Sequence, residues 1–274
     1  MKYIKKSTCI FLLFLVTLCQ SGYSQTNNTD DINNAPYWYN KGIVAIDSLQ
    51  YKKAIDCFTK AISINPRDTN VYFWRALVKD SLGLYKDGLA DNTKVIELNP
   101  GNQEAYNNRG VEKSHLKNYT EAISDFTKAI GLSPGYDTAY YNRGCAKFDL
   151  KQYDEAIEDY TKAIELTPGF EDAYLNRAAA YYNLNNYNAA LHDYTKAIEI
   201  NPKSFDGYAE RGKLYYELKQ YQNALDDYNK AIELHPNDWK IYLSRSDVKL
   251  FLDDYAGSEA DSKKGKALKK SARQ

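Results

Sequence analysis

The chain has 274 residues, with 36 basic and 36 acidic side chains and a formal net charge of zero. That balance gives no whole-chain attraction to nucleic acid or to an anionic bilayer. The length is ample for a sizeable core, or for the same residues spread along a rod of repeats.

The zero hides an asymmetry. Residues 1–24 hold Lys2, Lys5 and Lys6 and no acid, and the twelve residues from Lys263 hold six bases and no acid. Residues 25–262 therefore carry 27 bases (36 less three less six) against 36 acids, a net −9. The first segment reads as an export signal. Three lysines form a charged start, Cys9–Leu18 (CIFLLFLVTL) is a short apolar run, and small Gly22 and Ser24 precede a cut between Ser24 and Gln25. The run is too short to span a bilayer, which takes about 20 residues. Lipidation at Cys19 is disfavoured by the poor match of Val16 and Leu18 to a lipobox. The mature chain is expected to be secreted or periplasmic and not membrane-spanning. Gln25–Asn34 (QTNNTDDINN) is polar and aperiodic, and is expected to be a disordered leader.

From residue 35 the chain repeats. Pro66, Pro100, Pro134, Pro168, Pro202 and Pro236 recur every 34 residues without a slip. Copies begin at Ala35, Thr69, Gln103, Asp137, Glu171, Phe205 and Trp239, the seventh decaying toward the end. The fourth place of every copy is aromatic, from Trp38 and Tyr72 to Tyr242. The seventeenth is Tyr throughout, from Tyr51 to Tyr255. Small residues hold the eighth place (Gly42, Ala76, Gly110, Gly144, Ala178, Gly212, Ser246) and the twentieth (Ala54 through Ala224, with Gly88 and Ser258). In the fourth copy Tyr140, Gly144 and Lys147 share one helical face, and Ala156, Tyr160 and Ala163 share another. Two helices per copy, each pair closed by its Pro, predict fourteen helices and no strands.

A run such as AYYNRGCAKFDLKQYDEAIEDYTKAIELTP (139–168) resembles the tetratricopeptide repeat, and the likeness covers residues 35–264. The resemblance implies an all-α solenoid: antiparallel helix pairs stacked into a right-handed superhelix, with a concave groove for partner proteins. Residues 265–274 are read as a basic tail. The second copy has Gly88, Asn92 and Val95 where its siblings have Ala, an aromatic ring and Ala, which predicts poorer packing of its second helix. The last copy has Ser258, Ser262 and Gly265 at those places and adds Lys263, Lys264 and Lys266, as expected for a cap with a polar outer face.

Chemistry has no foothold in the pattern. There is no glycine-rich phosphate loop, no H-E-x-x-H, no G-x-S-x-G and no Cys/His metal spacing. His115, His192 and His235 fall at different places in their copies, and Cys57 and Cys145 lie in distant repeats and are read as thiols. The expectation is a non-enzyme with no cofactor and no metal.

One charged set keeps phase. The seventh place is Arg in copies two to seven, including Arg109, Arg143, Arg177 and Arg211. The twenty-third is Asp in the same copies, including Asp125, Asp159, Asp193 and Asp227. Copy one has Lys41 and Cys57 instead, so both partners change together. These read as structural ion pairs between helices. The competing reading pairs each Asp with the Lys three residues on, such as Asp125 with Lys128.

Function is expected on the opposite side of the first helices, at places 2, 5, 6, 9, 12 and 13, which in the family line the groove. Place 6 supplies Asn40, Asn108, Asn142 and Asn176. Places 5 and 12 supply Tyr39, Phe73, Tyr141, Phe148, Tyr182 and Tyr216, with acids such as Glu104, Asp172 and Glu217 nearby. Amides beside exposed rings suit an extended peptide. The lysine–asparagine–arginine clamp of chaperone-binding members is missing, because no copy has Lys at place 5 or Arg at place 6. The reading is a monomeric scaffold for a protein or peptide, basic ones included, with no nucleic acid partner. A carbohydrate- or cell-wall-binding accessory is the alternative.

Overall fold

The computed structural model describes residues 33–272, among which there are fourteen helices and no strand. The signal sequence, its cleavage site and nearly all of the expected leader lie outside the described residues. First helices of thirteen residues alternate with second helices of fourteen, except that the last second helix has seventeen. The first six in order are α1 (Ala35–Asp47), α2 (Tyr51–Ile64), α3 (Thr69–Ser81), α4 (Tyr85–Leu98), α5 (Gln103–His115) and α6 (Tyr119–Leu132). Next come α7 (Asp137–Asp149), α8 (Tyr153–Leu166), α9 (Glu171–Asn183) and α10 (Tyr187–Ile200). The chain ends with α11 (Phe205–Glu217), α12 (Tyr221–Leu234), α13 (Trp239–Phe251) and α14 (Tyr255–Ser271). Two compact units divide the chain, one running up to Lys151 and one from Gln152 onward. Within each unit every helix packs on its sequence neighbours, which is the helix-pair solenoid of the expected fold class.

The repeat pattern accounts for the helix limits. Each second helix stops two residues before its Pro, whose ring and missing N–H would break the next turn. Ahead of four first helices the side chains of Asp68, Asn102, Ser204 and Asp238 each accept from a backbone N–H of the first turn. Between the two helices of every copy one residue turns left-handed, always at the fifteenth place, with φ of 56° at Leu49, 72° at Gly83 and 65° at Lys117.

Small residues let paired helices meet, and rings fill the space beside them. A Cβ at Gly110 would stand 2.6 Å from the Phe126 ring, so only glycine admits that ring between α5 and α6. Phe126, Tyr160, Tyr194 and Tyr228 are buried, as are Ala122, Ala156, Ala190 and Ala224 beside them. Burying one such ring contributes about 2–3 kcal/mol. No copy encloses its apolar face without its neighbours.

Two expectations at the irregular copies are corrected. The second helix of copy two, α4, is not left loosely packed. Glu112 of α5, at a place occupied by Val78 or Leu214 elsewhere, fills the space vacated at Gly88 and Asn92. Its carboxyl is 1% exposed and accepts a 2.9 Å hydrogen bond from Asn92 Nδ2. In the last copy, Ser258 and Gly265 face inward rather than forming the polar outer surface. The Ser246 hydroxyl lies 2.9 Å from the Ser258 hydroxyl, and Gly265 packs under Leu243. Exposed Lys263, Lys264 and Lys266 supply the polar face instead, and α14 continues to Ser271, so much of the expected basic tail is helical.

Candidate binding surface

The repeated Arg and Asp hold the helices in place. Arg109 Nε and Nη2 donate to the two carboxylate oxygens of Asp125 at 2.8 and 2.7 Å, a bidentate fork. Arg75–Asp91, Arg177–Asp193, Arg211–Asp227 and Arg245–Asp261 repeat it. The remaining Nη1 reaches back to the preceding copy: Arg109 to Thr93, Arg143 to Thr127, Arg177 to Thr161 and Arg211 to Thr195. Each guanidinium also lies against the fourth-place Tyr of its own helix, 5.5 Å from the ring centre for Arg109 and Tyr106. In three copies the Lys of the eleventh place joins the same carboxylate, Lys79 on Asp91, Lys113 on Asp125 and Lys249 on Asp261. Copies five and six have Tyr181 and Tyr215 there. Asp159 is buried. The aspartates answer to Arg from the facing helix. Where Glu stands three residues on, the Lys of place 26 pairs with it within its own helix, as in Lys162–Glu165 and Lys196–Glu199.

Sequence reasoning missed the threonine. Its signal was present, since place 25 reads Thr59, Thr93, Thr127, Thr161, Thr195 and then Asn229, which receives Arg245 in the same way.

The open side of the first helices is narrower than expected. Tyr39, Phe148 and Asn176 are 7%, 5% and 0% exposed, so these three offer almost no surface and do not belong to a contact face. Places 5 and 12 lie seven residues apart on one stripe of the helix. That stripe is covered in most copies: Ile46, Asp80, Asn107, Ser114 and Leu175 are also buried there. Tyr39 packs on Phe58, with ring centres 6.0 Å apart. On α9 the small Ala178, Ala179 and Ala180 are all enclosed, so Asn176 sits on a helix that is crowded on several sides. Asn40 is exposed, and Phe73, Asn108, Tyr141, Asn142, Tyr182 and Tyr216 are partly exposed.

Two of the expected amides are joined by a third. Asn142 Nδ2 on α7 donates to Asn107 Oδ1 on α5 at 3.0 Å, and Asn107 Nδ2 donates to Asn108 Oδ1 at 3.4 Å. Asn107 is buried and serves as the link. Among the described residues, Asn108 Nδ2 and Asn142 Oδ1 have no hydrogen-bond partner, so the row keeps one donor and one acceptor facing out.

From Gln152 onward the open side is aromatic and acidic. The Tyr182 hydroxyl donates to Glu217 Oε1 at 2.6 Å, bridging α9 and α11. Burial, reinforced by that bond, holds the Tyr182 hydroxyl protonated well above the usual phenol range. Burial likewise raises the Glu210 carboxyl, whose Oε2 has no hydrogen-bond partner. Across places 2, 5, 6, 9, 12 and 13 of copies five to seven stand Asp172, Asp206, Glu210, Glu217 and Asp247 against Lys213 and Lys240.

Models of the tetratricopeptide repeat match residues 35–68, 103–136, 138–170, 171–204 and 205–238, together more than half of the chain. The chain belongs to the tetratricopeptide repeat family. The matched stretches leave out the copy with Gly88 and Asn92 and the final copy, the two irregular in sequence. A tetratricopeptide repeat protein from Parabacteroides merdae superposes with a TM-score of 0.68 at 20% identity, over 85% of this chain and 93% of its own, a likeness of fold. MamA superposes at 0.57 with 25% identity, over 62% and 92%. YrrB, described as a TPR protein with an unusual peptide-binding site, superposes at 0.53 with 26% identity, over 65% and 92%. An uncharacterized protein of Methanocaldococcus jannaschii is 34% identical over 58 residues, 21% of this chain and 67% of its own length. Members of this family are protein-interaction scaffolds. No described helix of this one is long and apolar enough to cross a membrane.

Proposed function

We propose that this tetratricopeptide repeat protein is an exported, non-catalytic scaffold that binds an extended segment of a partner protein along the open side of its first helices. The observation that carries the reading is the amide row of α5 and α7. Asn107 fixes Asn108 and Asn142, and their outward donor and acceptor match the paired N–H and C=O of one extended residue. Partly exposed Tyr141 beside them adds apolar contact. The peptide-binding site named for YrrB supports the same use of the fold. Export follows from residues 1–24, with delivery to the periplasm or beyond and cleavage between Ser24 and Gln25. N-terminal sequencing of the secreted chain tests it, an intact Met1 or a lipidated Cys19 being the refuting result.

The binding test uses the chain from Gln25 on an array of extended peptides. Asn108→Ala with Asn142→Ala should weaken the peptides it selects by about thirtyfold, at about 1 kcal/mol for each amide, in a variant that stays folded although buried Asn107 loses its two partners. Selection of the same peptides with the same affinity by the double variant would show that the amides are not the contact.

A further inference from the structure

We infer that the open face of α9 and α11, with Phe251 of α13 at its edge, takes an extended peptide bearing a lysine or arginine side chain, and that Lys213 holds that cation's place in the empty protein. The inference rests on the peptide-binding reading above and deepens it. It concerns residues of the second unit alone.

The face is built for a cation beside a ring. Tyr182 of α9 is tied to Glu217 of α11 through its hydroxyl, which fixes the ring and leaves its surface open to a charge. Lys213 already uses that surface, with Nζ 5.2 Å from the ring centre and 4.0 Å from Glu217 Oε1. The hold is weak. Lys213 and Glu217 side chains are 42% and 33% exposed, and their contact is single and long, the geometry of a screened surface pair. A peptide cation arriving over Tyr182 exchanges with Lys213, which swings into solvent on its flexible stem.

The rest of the surface suits the same occupant. One Glu210 oxygen has no hydrogen-bond partner, and Asp206 and Glu217 act on it electrostatically. That oxygen is enclosed, so a positive charge on the face above it would act at a distance, easing the crowding of carboxylates. At the edge toward the next copy, Tyr216 and Tyr221 meet Phe251, which stacks on Tyr221 at 4.6 Å between ring centres and is 56% exposed. That shelf provides apolar contact for residues flanking the cation.

The test measures binding of a fluorescent oligolysine decapeptide, and of the same peptide fully acetylated, to the chain from Gln25. Acetylation should cost about tenfold or more, since it removes the charge and keeps the chain length. Glu217→Gln keeps the acceptor for Tyr182 and should weaken oligolysine several-fold, whereas Lys213→Gln should tighten it. Glu199→Gln and Lys196→Gln on α10 make the same charge changes on an exposed pair of a second helix and should do neither. Equal binding of both peptides overturns this inference and leaves the scaffold reading standing, provided Asn108→Ala with Asn142→Ala still weakens both. Control variants that shift affinity as much as Glu217→Gln and Lys213→Gln reduce the effect to net charge and also overturn it. Binding of neither peptide overturns this inference alone, since the scaffold reading is decided by the peptide array and the Asn108→Ala with Asn142→Ala variant.

Discussion

Glu112→Gln isolates the most unusual group in the fold. The Glu112 carboxyl is 1% exposed, with one oxygen bonded to Asn92 and the other without a partner. Burial first, then Asp80 and Asp91 nearby, push its pKa up from 4.5 to about 9, against the opposing pull of the Asn92 hydrogen bond and of Lys79. The folded chain therefore holds one proton more than the unfolded chain between those two values. Stability from this group is whole below about pH 4.5 and is lost as pH rises toward 9, by up to about 1.4 kcal/mol per pH unit. From 4.5 to pH 7 the loss is about 3 kcal/mol. Glutamine keeps the shape and cannot ionise, so the variant should be the more stable protein at pH 7, by an amount approaching that figure. The advantage should vanish near pH 4.5 and grow toward pH 9. Repeat arrays open locally, so hydrogen exchange of the α4 and α5 amides at about pH 5, 7 and 9 reports the effect alongside urea unfolding. Protection that changes with pH in parallel for both proteins would refute the argument, because the only difference between them is the titrating group.

The arginine forks make a graded prediction. Arg177→Ala or Arg211→Ala leaves Asp193 or Asp227 buried without its fork and should cost roughly 3–4 kcal/mol, while Arg109→Ala, where Lys113 still holds Asp125, should cost about half as much. Thermal unfolding of the three variants decides it, and equal losses would show that the lysine does not compensate. The left-handed turn predicts a gain. Leu49→Gly or Lys117→Gly should stabilise by about 0.5–1 kcal/mol, since a Cβ is strained at φ 56° or 65°, while Asn185→Gly should be nearly neutral. Destabilisation at Lys117 in chemical unfolding would mean that its side chain contributes more than its backbone strain costs.

The fold was legible because its period is covalent. A Pro every 34 residues, a ring at place 4 and small residues at places 8 and 20 fix helix ends and helix crossings locally, so fourteen helices could be read before any was seen. The left-handed turn was not legible. Its occupants include Leu49, Gly83, Lys117 and Asp253, because the geometry is imposed by two helices meeting and not by the residue in the turn. The arginine sets were half legible. Phase alone paired Arg109 with Asp125, but the reach of Nη1 to Thr93 crosses to the preceding copy, and only the stacking shows that distance.

The binding face shows the same division more sharply. Helical periodicity says which residues point away from the second helix, and it placed Tyr39, Phe148 and Asn176 there. Whether such a residue meets solvent depends on what packs over it, a tertiary quantity: Tyr39 is covered by Phe58 of the second helix of its own copy. Glu112 shows how far that dependence extends. Read along the chain, Gly88 and Asn92 are two losses in α4 and Glu112 is an acid on an apolar stripe of α5. In space they are one exchange, in which a ring and a methyl are replaced by a carboxyl long enough to cross the gap and an amide to receive it. Set against copy one or any of copies three to six, the same carboxyl would meet an alanine and a ring, with no amide to bond. Burying it there would cost several kcal/mol more. Among copies otherwise alike enough to stack in any order, that single mismatch gives the junction of the second and third copies one register.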